Sequence, residues 1–424
     1  IMIMFVPGTV RRLWILLLGA ALLLAPLGSQ AQQQRQRAPQ PEAAPAAQPA
    51  TPASRPAAPA TNALIPETSA RQAIIADATT GSILFEKNAD ERMAPSSMSK
   101  IMTAYVVFDA LKRGDMKLDD MLPVSERAWR MQGSKMFVPL GERVKIDDLL
   151  RGMIVQSGND ACIVLAEGLA GSEEAFAERM NAIGKKIGLT GSNFRNASGW
   201  PDPDHYMTAR DLLTLGERLI ADFPELYRIY AERDFTYGKD EKGKPIKQGN
   251  RNPLLYKSTG ADGIKTGHTE QAGYGLTAAA LRDGRRVVMV LNGWPTMKAR
   301  AEESERLLEW AYREFATYVL FKSGQPVEQA AVWLGKEQSV GLVSARDVAI
   351  TIPRRLRPQV NVKVSFDAPV PAPIQKGQRI GVVVVSVPER PSVEFPLQAE
   401  ADVERLGFGG RVTSTLSHYV FGRK

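Results

Sequence analysis

Ala94-Pro95-Ser96-Ser97-Met98-Ser99-Lys100-Ile101-Met102-Thr103 opens a run that stays apolar nearly all round through Tyr105, Val106, Val107, Phe108 and Leu111. A helix that is hydrophobic on every side belongs in a protein interior, so the run predicts a buried helix over Ser97–Leu111. Lys112 and Arg113 place cations at its end, and Gly114 supplies a cap. One charge interrupts the apolar surface. Lys100 follows Ser97 by three residues, and residues at that spacing share a helix face, which sets the Ser97 hydroxyl beside the Lys100 amine. A serine is a poor nucleophile until a neighbouring base takes its proton, and a desolvated lysine can be that base. Free lysine titrates at about 10.4, so a neutral Lys100 near pH 7 requires a shift of about three units, on the order of 4 kcal/mol. Burial and a second cation would supply it. Ser99, adjacent to Lys100, points elsewhere; Ser96, four residues before it, remains a competitor by helix geometry.

Two further strings stand downstream. Ser157-Gly158-Asn159 falls between predicted helices, at a loop tip able to place a hydroxyl and an amide in a cleft. Ser157 would relay a proton between the lysines and a leaving nitrogen, while Asn159 would hold Lys100 and a substrate amide. Lys265-Thr266-Gly267 lies on a predicted strand, where the missing side chain of Gly267 would let an extended peptide lie against the backbone. Lys265 is the candidate second cation. With Thr266 it would bind a substrate carboxylate, and the backbone N–H of His268 would join that of Ser97 in receiving an oxyanion.

Around these strings the chain divides by composition. Residues 1–31 read as an export signal: Arg11-Arg12, an apolar run from Leu13 to Leu27, and Ser29-Gln30-Ala31 as a cleavage site. That run, of about 15 residues, is short for a membrane span of roughly 20. Residues 32–66, rich in Gln, Ala and Pro, predict a disordered linker. A catalytic domain is expected over 67–322. It opens with a strand-turn-strand unit at Gln72–Ala76 and Ser82–Phe85, and its helices are predicted at Asp147–Val155, Asp160–Leu169, Glu173–Ile187, Thr208–Ile220 and Ala299–Val319. Asp160 and Thr208 are expected N-caps. Strands return at Gly263–Thr266, Tyr274–Leu281 and Arg286–Leu291, the last two joined by the turn signal Asp283-Gly284. First and last strands would share one antiparallel sheet flanked by helices, an α+β fold. Residues 323–404 carry short strand-like runs and predict a smaller all-β domain. The tail, 405–424, spaces Leu406, Phe408, Val412 and Leu416 among basic residues in a pattern suited to a membrane surface.

The net charge of +8 also suits an anionic surface such as acidic lipid or wall polymer, while no motif supports nucleic acid. Cys162 is the one cysteine, so an intramolecular disulfide framework is excluded. His205, His268 and His418 are isolated and match no ligand spacing, and neither metal nor cofactor is implied.

The three strings in this order resemble the motif set of penicillin-binding proteins and serine β-lactamases. Their flanks, Asn159-Asp160-Ala161 and Asp262-Gly263-Ile264-Lys265-Thr266-Gly267-His268-Thr269 included, look like the low-molecular-weight D-alanyl-D-alanine carboxypeptidases. The resemblance runs from about Gln72 to the C-terminus and implies a transpeptidase-like catalytic domain followed by a β-rich domain and an amphipathic anchor. It implies that Ser97 forms an acyl-enzyme with the penultimate D-alanine of a peptidoglycan stem peptide, with Lys100 as base, Ser157, Asn159 and Lys265 as relay and electrostatic frame, and Thr266 as carboxylate contact. Arg300 matches a family position near that carboxylate. It also implies β-lactams as covalent inhibitors, a role in wall maturation and cell shape, and an exported, periplasmic protein attached at the outer face of the cytoplasmic membrane. A β-lactamase reading is disfavoured because no Glu-x-x-x-Asn string follows Ser157 closely. A D,D-endopeptidase would use the same residues, and an inactive wall-binding scaffold would have no need of a lysine in an apolar helix.

Overall fold

The computed structural model describes residues 66–240, 242–410 and 412–413. The expected export signal, the linker up to residue 65, and residues 411 and 414–424 of the tail lie outside them. Five strands, β1 (Gln72–Asp77), β2 (Ser82–Lys87), β3 (Ala261–Thr269), β4 (Gly273–Arg282) and β5 (Arg285–Trp294), form one sheet in the order β2-β1-β5-β4-β3. All four pairings are antiparallel. The chain therefore returns some two hundred residues later to pair its first strand with its last. Asp283 (φ +48°) and Gly284 (φ +77°) make the tight β4–β5 turn, the doubly left-handed geometry that Asp-Gly favours.

Every residue of β1 is buried, and the two-residue period of a strand sends its side chains to opposite faces. Ile74 and Ala76 join the larger core with Val288 and Val290. That core takes in helices α1 (Lys100–Arg113), α2 (Ile146–Ile154), α3 (Asn159–Ala170), α4 (Glu173–Lys186) and α5 (Ala209–Asp222). Ala73 and Ile75 join Val287, Met289 and Leu291 on the other face, covered by Leu307, Leu308 and Ala311 of α6 (Met297–Glu314). The fold is α+β, with helices on both faces of an antiparallel sheet. α1 is buried from Lys100 to Phe108 and closes on Gly114 at φ +80°.

Three local expectations change. The helix expected to reach Val319 ends at Glu314, because Phe315–Phe321 leaves as strand β6 and pairs with β9 (Val348–Pro353). This switch comes ahead of the domain boundary expected at 322/323. Asp160 is not an N-cap: it lies inside α3, and its carboxylate accepts from the backbone N–H groups of Met136, Phe137 and Val138 at 2.8–3.2 Å. Ser97 lies on a 3₁₀ turn, Ser96–Ser99, rather than in the helix proper. Thr208 does cap α5, accepting from Asp211 N at 3.0 Å.

Beyond α6 the chain is almost all strand. β7 (Pro326–Trp333), β8 (Ser339–Val343), β10 (Asn361–Phe366), β11 (Val370–Pro371), β12 (Arg379–Ser386) and β13 (Val393–Ala399) form a six-stranded sheet, ordered β10-β12-β13-β8-β7-β11, around a separate apolar core. Arg405 bridges Gly335, and Phe408 beyond it is 77% exposed. No helix among the described residues is long and apolar enough to cross a membrane.

A buried carboxylate joins the two units. Asp77, fully buried, accepts from Arg285 Nε at 2.6 Å and Thr351 Oγ1 at 2.9 Å, and from Thr79 N at 2.9 Å. Arg285 in turn donates to the carbonyls of Ala311 and Phe315, where α6 passes into β6. Removing one partner of a buried ion pair strands the other. Asp77→Asn is expected to cost about 3 kcal/mol of stability, read as a lowered midpoint in denaturant unfolding.

Candidate active site

The turn at Ser96–Ser99 delivers the first pair of groups. Lys100 Nζ donates to Ser97 Oγ at 2.8 Å, to Asn159 Oδ1 at 2.7 Å and to the Ser198 carbonyl at 2.6 Å. The ammonium's three donors are thus all engaged, and the side chain is 1% exposed. Ser96, the sequence competitor, turns away, its hydroxyl donating to Thr269 Oγ1 at 3.3 Å. Ser99 bonds His205 Nε2 at 2.8 Å. His205 Nδ1 accepts from Arg195 N at 3.2 Å, so Nε2 carries the ring proton and donates to Ser99. That pair offers no base to Ser99.

Asn159 opens α3, and its Nδ2 donates to the Gln132 carbonyl at 2.8 Å, so the amide links Lys100 to the loop before it. Ser157 sits on the turn between α2 and α3 at φ +62° and is 2% exposed. Its hydroxyl forms no hydrogen bond among the described residues.

Lys265, Thr266, Gly267 and His268 lie on β3, the edge strand of the sheet. One side of β3 is unpaired, which leaves alternate peptide groups open to an added strand. Lys265 (3% exposed) donates to the Thr266 carbonyl at 3.2 Å, and Thr266 is also buried. Gly267 also has a packing reason. A Cβ there would lie 2.9 Å from the Pro95 carbonyl oxygen and 3.2 Å from Ser96 Cβ, so its bare Cα lets β3 press against the turn carrying Ser97. Gly199 does the same from another direction: at φ +77°, any Cβ would overlap the Ser96 carbonyl oxygen. His268 is exposed and stacks on Tyr274, with 3.9 Å between ring centroids. Arg300 lies against the same tyrosine, its guanidinium 5.6 Å from the ring centroid, and is 5% exposed with an Nε that has no hydrogen-bond partner.

Burial lowers Lys100 to about 8, and Arg251 is a cation that adds to this effect, beside Lys265, whose repulsion with Lys100 is mutual. Lys265 is pushed well below the ordinary lysine range, first by burial and then by Lys100, Arg251 and Arg300. Burial also brings Arg300 down to about 10. Arg251, donating to Ser134 Oγ at 2.8 Å, went unnoticed in the sequence because a lone loop arginine carries no motif. The result is a cleft with four basic groups whose fields reach one another, in which the Lys100 amine meets a hydroxyl. Such a site can take up an anion and move a proton to or from Ser97.

The comparisons with known proteins agree with this geometry. Residues 58–296 match the D-alanyl-D-alanine carboxypeptidase family, and residues 315–405 match the C-terminal domain of penicillin-binding protein 5. The chain is 41% identical over 354 residues to the D-alanyl-D-alanine carboxypeptidase DacC of Escherichia coli, covering 81% of this chain and 86% of that one. It is 39% identical over 350 residues to DacA of Haemophilus influenzae, covering 81% and 88% respectively. The crystal structure of penicillin-binding protein 5 from Haemophilus influenzae superposes with a TM-score of 0.74 at 40% identity, covering 80% of this chain and 99% of that one. With both parts matched and the likeness spanning most of each partner, this chain belongs to the D-alanyl-D-alanine carboxypeptidase family of penicillin-binding proteins, and is a serine-type hydrolase.

Proposed function

We propose that this chain removes the terminal D-alanine from peptidoglycan stem peptides through an acyl-enzyme on Ser97, and that β-lactams acylate the same atom. The observation that carries this reading is the 2.8 Å contact between Lys100 Nζ and Ser97 Oγ, made by an amine that burial brings to about 8. Neutral Lys100 takes the Ser97 proton as Oγ bonds to the carbonyl carbon of the penultimate residue. The oxyanion is received by backbone N–H groups of Ser97 and His268. The Ser157 hydroxyl passes the proton to the leaving nitrogen as the C–N bond breaks. Water then cleaves the ester, with Lys100 again the base. The substrate lies along the open edge of β3, and its terminal carboxylate meets Lys265, Thr266 and Arg300, with Arg251 adding positive potential. The unpartnered Nε of Arg300 and the surplus of cations support that placement.

In this reading the chain divides into a catalytic part that ends at the close of α6 and a β-rich part that begins at Phe315 and holds the site away from its support. The tail beyond residue 405, basic and apolar in alternation with Phe408 already 77% exposed, attaches the protein to the outer face of the cytoplasmic membrane. Among the described residues Lys100 is hydrogen-bonded by Ser97, Asn159 and Ser198 and by no carboxylate, which fits slow release of a bulky penicilloyl group.

Intact mass spectrometry after benzylpenicillin should show one adduct on wild type and on Ser96→Ala and none on Ser97→Ala; labelling that survives at full level in Ser97→Ala removes the nucleophile assignment. The wild-type adduct should persist for many turnovers' worth of peptide hydrolysis, whereas rapid return to unlabelled mass would place the chain among penicillin-hydrolysing enzymes. Lys100→Ala is expected to lower the acylation rate by about 10²–10⁴-fold, measured by stopped-flow or quench. Because Lys100 must be neutral to act, acylation should rise with pH along a limb centred at about 8. Arg251→Gln removes a nearby cation, stabilises the charged amine and should move that limb to higher pH. An unmoved limb would exclude Arg251 from the electrostatics of Lys100.

A further inference from the structure

Trp200 is 42% exposed, and its backbone is fixed from both ends. Its N–H donates to Asn196 Oδ1 at 3.0 Å, while its carbonyl accepts from Asn196 Nδ2 at 2.9 Å. The preceding residues, Ser198 and Gly199, are held by the same Asn196 oxygen, and the Ser198 carbonyl accepts from Lys100 Nζ at 2.6 Å. Gly199 is wedged against the turn carrying Ser97. The ring itself stands beside the catalytic amide. A Cβ on Gly133 would lie 2.8 Å from Asn159 Nδ2 and 3.2 Å from Trp200 Cζ3, so the indole and the Asn159 amide flank a common point at Gly133.

An aromatic residue held this firmly by its backbone and partly exposed beside Asn159 loses little entropy on meeting an apolar partner. Lys265 lies on β3 and Arg300 against Tyr274, where the carboxylate of the leaving residue is placed above. The indole lies next to Asn159, the residue assigned above to the substrate amide.

We propose that Trp200 is a specificity-determining residue: its exposed face packs against the apolar substituent carried on the amide nitrogen of the acyl donor, the group preceding the penultimate residue. The inference rests on the acyl-enzyme reading of Ser97. Peptides whose residue before the two D-alanines has an aliphatic or aryl body, and β-lactams with an aryl side chain, gain from this contact; donors ending in a bare amine do not.

Benzylpenicillin and 6-aminopenicillanic acid separate the effects, since they share ring and carboxylate and differ in a phenylacetyl group on that nitrogen. With either, Ser97 Oγ bonds to the ring carbonyl carbon, the ring C–N bond breaks, and the Oγ proton ends on the ring nitrogen. The full chain and its Trp200→Ala and Trp200→Phe variants are compared by second-order acylation rate. The ratio of benzylpenicillin to 6-aminopenicillanic acid should fall about tenfold in Trp200→Ala and hold within about twofold in Trp200→Phe. A ratio unchanged in Trp200→Ala, whether both rates hold or both fall together, overturns the role of Trp200 while leaving Ser97 acylation intact. Absence of an adduct on the wild-type chain with both compounds would instead overturn the acyl-enzyme reading.

Discussion

A single amine in a dry place organises this protein. Lys100 is enclosed on the first turn of α1 and spends its hydrogen-bonding capacity on Ser97, Asn159 and the Ser198 carbonyl. Each partner comes from a different segment: the 3₁₀ turn, the start of α3, and the loop before α5. Burying an ionisable group in an apolar helix costs stability unless its polar partners are in place, so the helices around α1 must pack to bring those segments in. The same enclosure that threatens the fold lowers the amine to about 8 and gives it the character of a base.

The sheet serves that requirement from the other side. β1 is buried on both faces and fixes β5, β5 fixes β4, and β4 leaves β3 as an edge. Because β3 ends against Pro95 and Ser96, the position of the Ser97 turn depends on a strand more than 150 residues away in sequence. The β-rich part is tied to this scaffold by Asp77, whose carboxylate gathers Arg285 and Thr351 into one buried node.

Much of this was legible in the sequence, and what was not has identifiable causes. The all-round apolar run with one lysine announced α1, Gly114 its end, and Asp283-Gly284 the β4–β5 hairpin, since each is decided by neighbours in the chain. The end of α6 was hidden because Phe315, Val319 and Leu320 continue its apolar spacing; pairing with β9, a tertiary fact, turns the segment into strand. The same holds for Asp160, drawn from a cap to the 136–138 loop by three backbone N–H groups of a distant segment. Ser99 and His205 lie 106 positions apart, and Arg251 has no motif around it, so neither their contact nor its field leaves a pattern that periodicity could reveal.

The two glycines that grip the Ser97 turn narrow what the chain can accept there. At position 199 a side chain would overlap the Ser96 carbonyl, and at position 267 it would force β3 off the turn. A substitution at either position displaces the turn itself, so every molecule that approaches the Ser97 hydroxyl is affected alike. Change in this part of the chain therefore meets backbone first, and positions away from the turn are freer to vary.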